Sequence, residues 1–73
     1  VNVKVAEKRP FNEVAKIVEA SQQLETELGE TGRLLLRYSG TENLARVMIE
    51  GENQAEIERQ AHWLADVIKE SLS

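Results

Sequence analysis

Two arginines, Arg37 and Arg46, flank a stretch that contains Ser39, Gly40 and Thr41. Guanidinium groups donate paired hydrogen bonds to phosphate, and the two hydroxyl groups can donate as well. Gly40 has no Cβ, so the backbone there can approach a ligand closely. The successive N–H groups of residues 39–41 can form an anion nest. These residue types at this spacing predict a site for a phosphate-like dianion.

A second interpretation of the same stretch stays open. Ser-Gly-Thr is an ordinary turn sequence, and Arg37 and Arg46 could each pair with a nearby carboxylate, Glu42 or Glu50. The two interpretations differ in the group that neutralises the positive charge of the arginines. This group is either a protein carboxylate or a bound anion.

The apolar runs on both sides of the turn predict two strands, from Arg33 to Tyr38 and from Ala45 to Glu50, paired with Arg37 opposite Arg46. The predicted pairs are Leu34 with Ile49, Leu36 with Val47 and Tyr38 with Ala45 on one face, and Arg33 with Glu50, Leu35 with Met48 and Arg37 with Arg46 on the other. A slip of one residue would mix the two faces, so the pattern defines the register. Like charges directly opposite are unfavourable in a sheet, and a dianion would reverse the sign of that interaction.

The rest of the chain predicts one more strand and two helices, each helix with a single apolar stripe. The strand covers Val1–Val5. The first helix runs from about Asn12, its N-cap, to Leu28, and Gly29 stops it. The second helix begins at Gln54, after a capping box of Asn53 and Glu56. A strand order of 1-3-2 makes all neighbouring strands antiparallel. We therefore predict an α+β fold, β-α-β-β-α, with a small antiparallel sheet and both helices on one face.

The bulk properties restrict the possible partners. The 73 residues suffice for one small domain, and the net charge of −4 argues against nucleic acid and anionic membranes. No apolar run approaches the roughly 18 residues of a membrane span, and no signal peptide is visible. The absence of cysteine fits a reducing compartment. Because the chain starts with Val1, inside a predicted strand, we expect it to be a piece of a longer protein.

No set of residues predicts catalysis or a metal site. His62 is the only histidine and should lie on the polar side of the second helix, while the glutamates lie on helix faces and no aspartates cluster. Trp63 is expected to pack at the edge of the core. We therefore expect the chain alone to be catalytically inert and to bind no metal.

The sequence around the turn resembles that of a known protein family. Arg37-Tyr38-Ser39-Gly40-Thr41-Glu42, followed by Arg46-Val47-Met48-Ile49-Glu50, resembles the phosphate-binding loop of the α-D-phosphohexomutases, and most of all their bacterial phosphoglucosamine mutase branch. The resemblance covers essentially the whole chain, residues 1–73, as the single C-terminal, fourth domain of such an enzyme, and implies a TATA-box-binding-protein-like fold. One position departs, because many relatives have proline where this chain has Asn43, and the loop is expected to be less stiff.

The resemblance implies that the full enzyme interconverts glucosamine 6-phosphate and glucosamine 1-phosphate in the cytoplasm, on the way to UDP-N-acetylglucosamine and peptidoglycan. A phosphoserine in the first domain would transfer the phosphoryl group, and Mg²⁺ would bind in the second domain, outside this chain. The partners of this chain would be the phosphosugar and the other domains. It would hold the phosphate that is not transferred, through Arg37, Ser39, Gly40, Thr41 and Arg46.

Two alternatives remain at this point. The first is the same domain of a phosphomannomutase or phosphoglucomutase, because a site that contacts phosphate reveals little about the sugar. The second is a non-enzymatic module whose basic hairpin binds a carboxylate or a phosphopeptide of a partner protein.

Overall fold

Alternating apolar and polar residues build a three-stranded sheet. The computed structural model describes residues 1–72. Its strands are β1 (Asn2–Lys4), β2 (Arg33–Tyr38) and β3 (Leu44–Glu50). The strands lie in the order β1-β3-β2 with both pairs antiparallel, as predicted. The predicted register between β2 and β3 is confirmed at every pair, including Arg37 opposite Arg46.

One face of this sheet carries the hydrophobic core. Val3, Val5, Ala45 and Val47 are buried there, and two helices cover them, α1 (Ala15–Leu28) and α2 (Gln54–Leu72). The largest fully buried side chains are Ile17, Leu24, Leu64, Ile68, Leu72 and Val47. The predicted α+β class, with both helices on one face, is confirmed.

The first helix begins later than predicted. Phe11–Glu13 form a 3₁₀ turn, and α1 starts at Ala15 after an extended Val14 that provides no side-chain cap. The prediction that Asn12 caps this helix is wrong. The physical reason is tertiary, because the Phe11 ring stacks on Tyr38 with centroids 4.3 Å apart, and this contact fixes the entry of the chain before the helix can start.

The C-terminal end of α1 agrees with the sequence. Gly29 follows the last helical residue, Leu28, with φ of 61°. This left-handed conformation strains residues with a Cβ and suits glycine. Gly29 N–H donates to the Glu25 carbonyl, which satisfies one of the free carbonyls of the last turn.

The second helix begins at Gln54, as predicted. The Glu56 amide donates to Asn53 Oδ1 at 3.0 Å, which is the N-cap bond of the predicted capping box. Within the described residues the reciprocal bond, from the Asn53 amide to the Glu56 carboxylate, is not formed. The Glu56 carboxylate pairs with Arg59. Gln60 is also buried, with 3% of its surface exposed, although it lay outside the predicted apolar stripe.

Candidate anion-binding site at the hairpin tip

The two arginines of the predicted site lie opposite each other at the end of the β2–β3 hairpin. Both side chains are exposed, because they project from the sheet face that the helices leave uncovered. Directly opposed residues in an antiparallel pair have Cβ atoms about 4.5–5.5 Å apart. One phosphate group is therefore within reach of both guanidinium groups.

Neither arginine is neutralised by a carboxylate. Within residues 1–72 the only ion pair joins Glu56 and Arg59 on α2, far along the chain from the hairpin. The interpretation in which Arg37 and Arg46 pair with Glu42 or Glu50 is therefore wrong for this structure. Two like charges are left facing each other in water.

The loop between the strands is closed by its own first residue. Ser39 N–H donates to the Leu44 carbonyl at 2.9 Å. Ser39 Oγ accepts two long hydrogen bonds, from the amide of Thr41 at 3.4 Å and from the amide of Glu42 at 3.3 Å. The predicted nest of three free amides is therefore wrong, because the Ser39 amide is consumed by the hairpin and the Thr41 amide points towards a hydroxyl.

Gly40 differs from its neighbours in the loop. Within the described residues its amide makes no hydrogen bond. A Cβ added at Gly40 would meet no atom within 4 Å, and Gly29 is the glycine with positive φ within residues 1–72. Neither chain conformation nor protein packing requires glycine at position 40. Close approach of a ligand to the backbone is a reason for glycine at position 40 that is consistent with this geometry.

Two side-chain hydrogen bonds that the sequence did not indicate join the hairpin to residues 8–9. Lys8 Nζ donates to the Ser39 carbonyl at 2.6 Å, and the Tyr38 hydroxyl donates to the Arg9 carbonyl. Partial burial raises the pKa of Tyr38 above its ordinary value of 10.0, because it disfavours the phenolate. Lys8 is 31 positions from Ser39, and no local pattern in the sequence signals such a contact.

Other candidate residues lie away from the tip. His62 is exposed on α2, and Trp63 on the same helix keeps 38% of its surface exposed. Residues 1–72 contain no group of three His, Cys, Asp or Glu side chains arranged to hold a metal ion. Neither described helix is long and apolar enough to span a membrane.

Comparison with known proteins places the chain in a family. Residues 1–67 match the family described as "Phosphoglucomutase/phosphomannomutase, C-terminal domain". The chain is 47% identical over 72 residues to a phosphoglucosamine mutase of Nitratidesulfovibrio vulgaris. It is 50% identical over 72 residues to one of Desulfovibrio desulfuricans, and 44% identical over 73 residues to one of Lawsonia intracellularis.

These alignments cover 99% to 100% of the chain and 16% of each relative. The chain belongs to the family of phosphoglucomutase and phosphomannomutase C-terminal domains, which confirms the resemblance found in the sequence. It spans about a sixth of the length of these relatives.

Proposed function

We propose that this chain is the phosphate-binding fourth domain of a cytoplasmic phosphoglucosamine mutase. In this proposal the hairpin tip binds the phosphate that stays on the sugar while the other phosphate is transferred elsewhere in the enzyme. The binding residues are Arg37, Ser39, Gly40, Thr41 and Arg46. The observation that carries the proposal is the opposed pair Arg37 and Arg46, which has no carboxylate partner within residues 1–72.

The electrostatics favour a dianion over a carboxylate. A phosphate monoester carries about −1.5 to −2 charges near pH 7 and has three acceptor oxygens, so it can accept from two guanidinium groups at once. The Gly40 amide and the hydroxyl groups of Ser39 and Thr41 add neutral donors in the loop between the two arginines. The tip therefore offers more donors than a single protein carboxylate can use.

The role of the domain would be positioning. Binding energy at one end of the substrate orients the other end for reaction. The phosphoryl group would be transferred by residues outside this chain, and the chain alone would be inactive. Mg²⁺ of the full enzyme would likewise be held by other domains, and no step proposed for this chain depends on it.

A charge-deletion series in the full-length enzyme tests this proposal. Each charge-assisted hydrogen bond contributes about 1.5–3 kcal/mol, so Arg37→Ala or Arg46→Ala should lower kcat/KM by about ten- to a hundredfold. Arg33→Ala is the matched control, because Arg33 lies on the same face of the same strand, opposite Glu50. Equal losses for Arg33→Ala and Arg37→Ala would refute a site at the tip.

The sugar specificity needs a separate experiment. The relatives compared above are named phosphoglucosamine mutases, whereas the family description names phosphoglucomutase and phosphomannomutase. Assays of the full-length enzyme with glucosamine, mannose and glucose phosphates distinguish these branches. We expect the highest kcat/KM with glucosamine 6-phosphate, and a higher value with mannose or glucose phosphate would assign the chain to the alternative branch.

A further inference from the structure

The segment between β1 and the 3₁₀ turn is bound to the hairpin tip by two side-chain hydrogen bonds. Lys8 Nζ donates to the Ser39 carbonyl at 2.6 Å. At the residue after Lys8 and the residue before Ser39, the Tyr38 hydroxyl donates to the Arg9 carbonyl. The Phe11 ring then stacks on the Tyr38 ring. The loop of the proposed phosphate site is therefore bonded to a segment that lies outside the hairpin.

The Lys8 contact determines the direction of one particular amide. The carbonyl of Ser39 and the N–H of Gly40 belong to a single planar peptide group, and the peptide bonds within residues 1–72 are trans. In a trans peptide the C=O and the N–H point in opposite directions. Because Lys8 holds the carbonyl, the Gly40 N–H must point away from Lys8.

Among the amides of residues 39–41, the Gly40 amide is the one that the described residues leave without a hydrogen bond. Within the described residues the Ser39 amide bonds to Leu44, and the Thr41 amide to Ser39 Oγ. A cation that donates to a carbonyl polarises the peptide, and hydrogen bonds in such a chain strengthen one another. The Lys8 ammonium thus makes the Gly40 N–H a better donor as well as fixing its direction.

We propose that Lys8 is a positioning residue of the phosphate site, which holds the Ser39–Gly40 peptide so that the Gly40 N–H is presented to the phosphate. This inference rests on the proposed function of the tip. Lys8 acts through the peptide group and needs no contact with the ligand. It therefore adds a residue from outside the hairpin to the site.

The test is a titration of the ¹⁵N-labelled chain with inorganic phosphate, followed by amide shifts. Lys8→Met removes the donor, whereas Lys8→Arg keeps a donor that can reach the carbonyl. Lys4→Met is the charge-matched control, because Lys4 is exposed and lies opposite Leu44 at the same end of the sheet. Thermal unfolding of each variant establishes that it is folded before the titration.

We expect Lys8→Met to shift the Gly40 amide resonance before phosphate is added and to raise the Kd by about three- to tenfold, the effect of one well-directed hydrogen bond. Lys8→Arg should restore both values, and Lys4→Met should change the Kd by less. A wild-type Kd in Lys8→Met, failure of Lys8→Arg to restore binding, or an equal loss in Lys4→Met would each overturn the inference. Absence of any Gly40 response to phosphate in the wild-type chain would instead refute the proposed function of the tip.

Discussion

The base and the tip of the β2–β3 hairpin both carry arginine and glycine, but the surroundings of these residues differ. At the base, Arg33 lies opposite Glu50, and at the tip, Arg37 lies opposite Arg46. The first pair combines opposite charges, the usual arrangement across a sheet, and the second combines like charges. Neither pair forms an ion pair within residues 1–72, but Arg33 faces a charge of opposite sign, whereas Arg37 faces a charge of the same sign.

The glycines at the two ends differ in the same way. A Cβ at Gly32, beside the base, would lie 2.8 Å from the Glu50 carbonyl oxygen and 2.7 Å from Leu28 Cδ2. A Cβ at Gly40 would meet nothing within 4 Å. The base is thus packed by the protein, whereas the tip is left open. Packing therefore constrains Gly32 at the base, whereas at Gly40 the constraint would come from the ligand of the proposed site.

The largest effect is expected when the tip is made to resemble the base. Arg37→Glu would place a carboxylate opposite Arg46, which removes a phosphate donor and adds repulsion. We expect kcat/KM of the full-length enzyme to fall by more than about a hundredfold, with little change in the melting temperature. An unchanged kcat/KM in Arg37→Glu would contradict the proposed difference between the base and the tip.

The glycines give the next largest effect. Gly32→Ala should lower the free energy of unfolding by about 1–3 kcal/mol, because the added methyl group overpacks against a backbone oxygen that cannot move aside easily. Gly40→Ala should leave the free energy of unfolding nearly unchanged and weaken phosphate binding. Chemical denaturation measures the first quantity and phosphate titration the second. Destabilisation by both variants would contradict the distinction.

A smaller effect concerns the chain without ligand. Arg37→Ala removes a like-charge pair and should raise the free energy of unfolding by about 0.2–1 kcal/mol at low ionic strength, whereas Arg33→Ala should lower it slightly. Salt should reduce both differences, since exposed charges are screened. Denaturation at two salt concentrations measures them. A loss of stability in Arg37→Ala would assign that side chain a structural role.

The smallest effect is a pH dependence that arises at the tip. The pKa of Tyr38 is higher in the folded chain than its ordinary value of 10.0, because burial disfavours the phenolate. The contribution of the protonated phenol to stability is therefore complete below about pH 10 and is lost as the pH rises through the folded pKa. Spectrophotometric titration of this single tyrosine should show the higher midpoint. Tyr38→Phe should lose the dependence, and a wild-type midpoint at or below 10 would contradict the burial argument.

The sheet could be predicted because its signals are local and periodic. Alternation of apolar and polar side chains defined the register that places Arg37 opposite Arg46. The strand order followed from the expectation that neighbouring strands are antiparallel. Loop details could not be obtained in this way. The Ser39 amide closes the hairpin and is not available for a nest. This hydrogen bond depends on the position of the Leu44 carbonyl in the folded chain.

The other errors have the same origin in long-range contacts. Asn12 has a favourable N-cap side chain, but the stacking of Phe11 on Tyr38 sets the path of the chain, and the helix starts after Val14. The contact of Lys8 with Ser39 joins residues 31 positions apart. No propensity or spacing rule represents a bond of that kind, so only the folded chain reveals it.

The order of the strands gives the two arginines unequal support. Arg46 lies on β3, which is hydrogen-bonded on both sides, whereas Arg37 lies on β2, which within residues 1–72 has one neighbour. An edge strand opens more readily than a central one, because fewer bonds must break. If the tip binds phosphate as proposed, Arg46 would be held on the more rigid strand, and adjustment to the ligand would fall to the strand that carries Arg37.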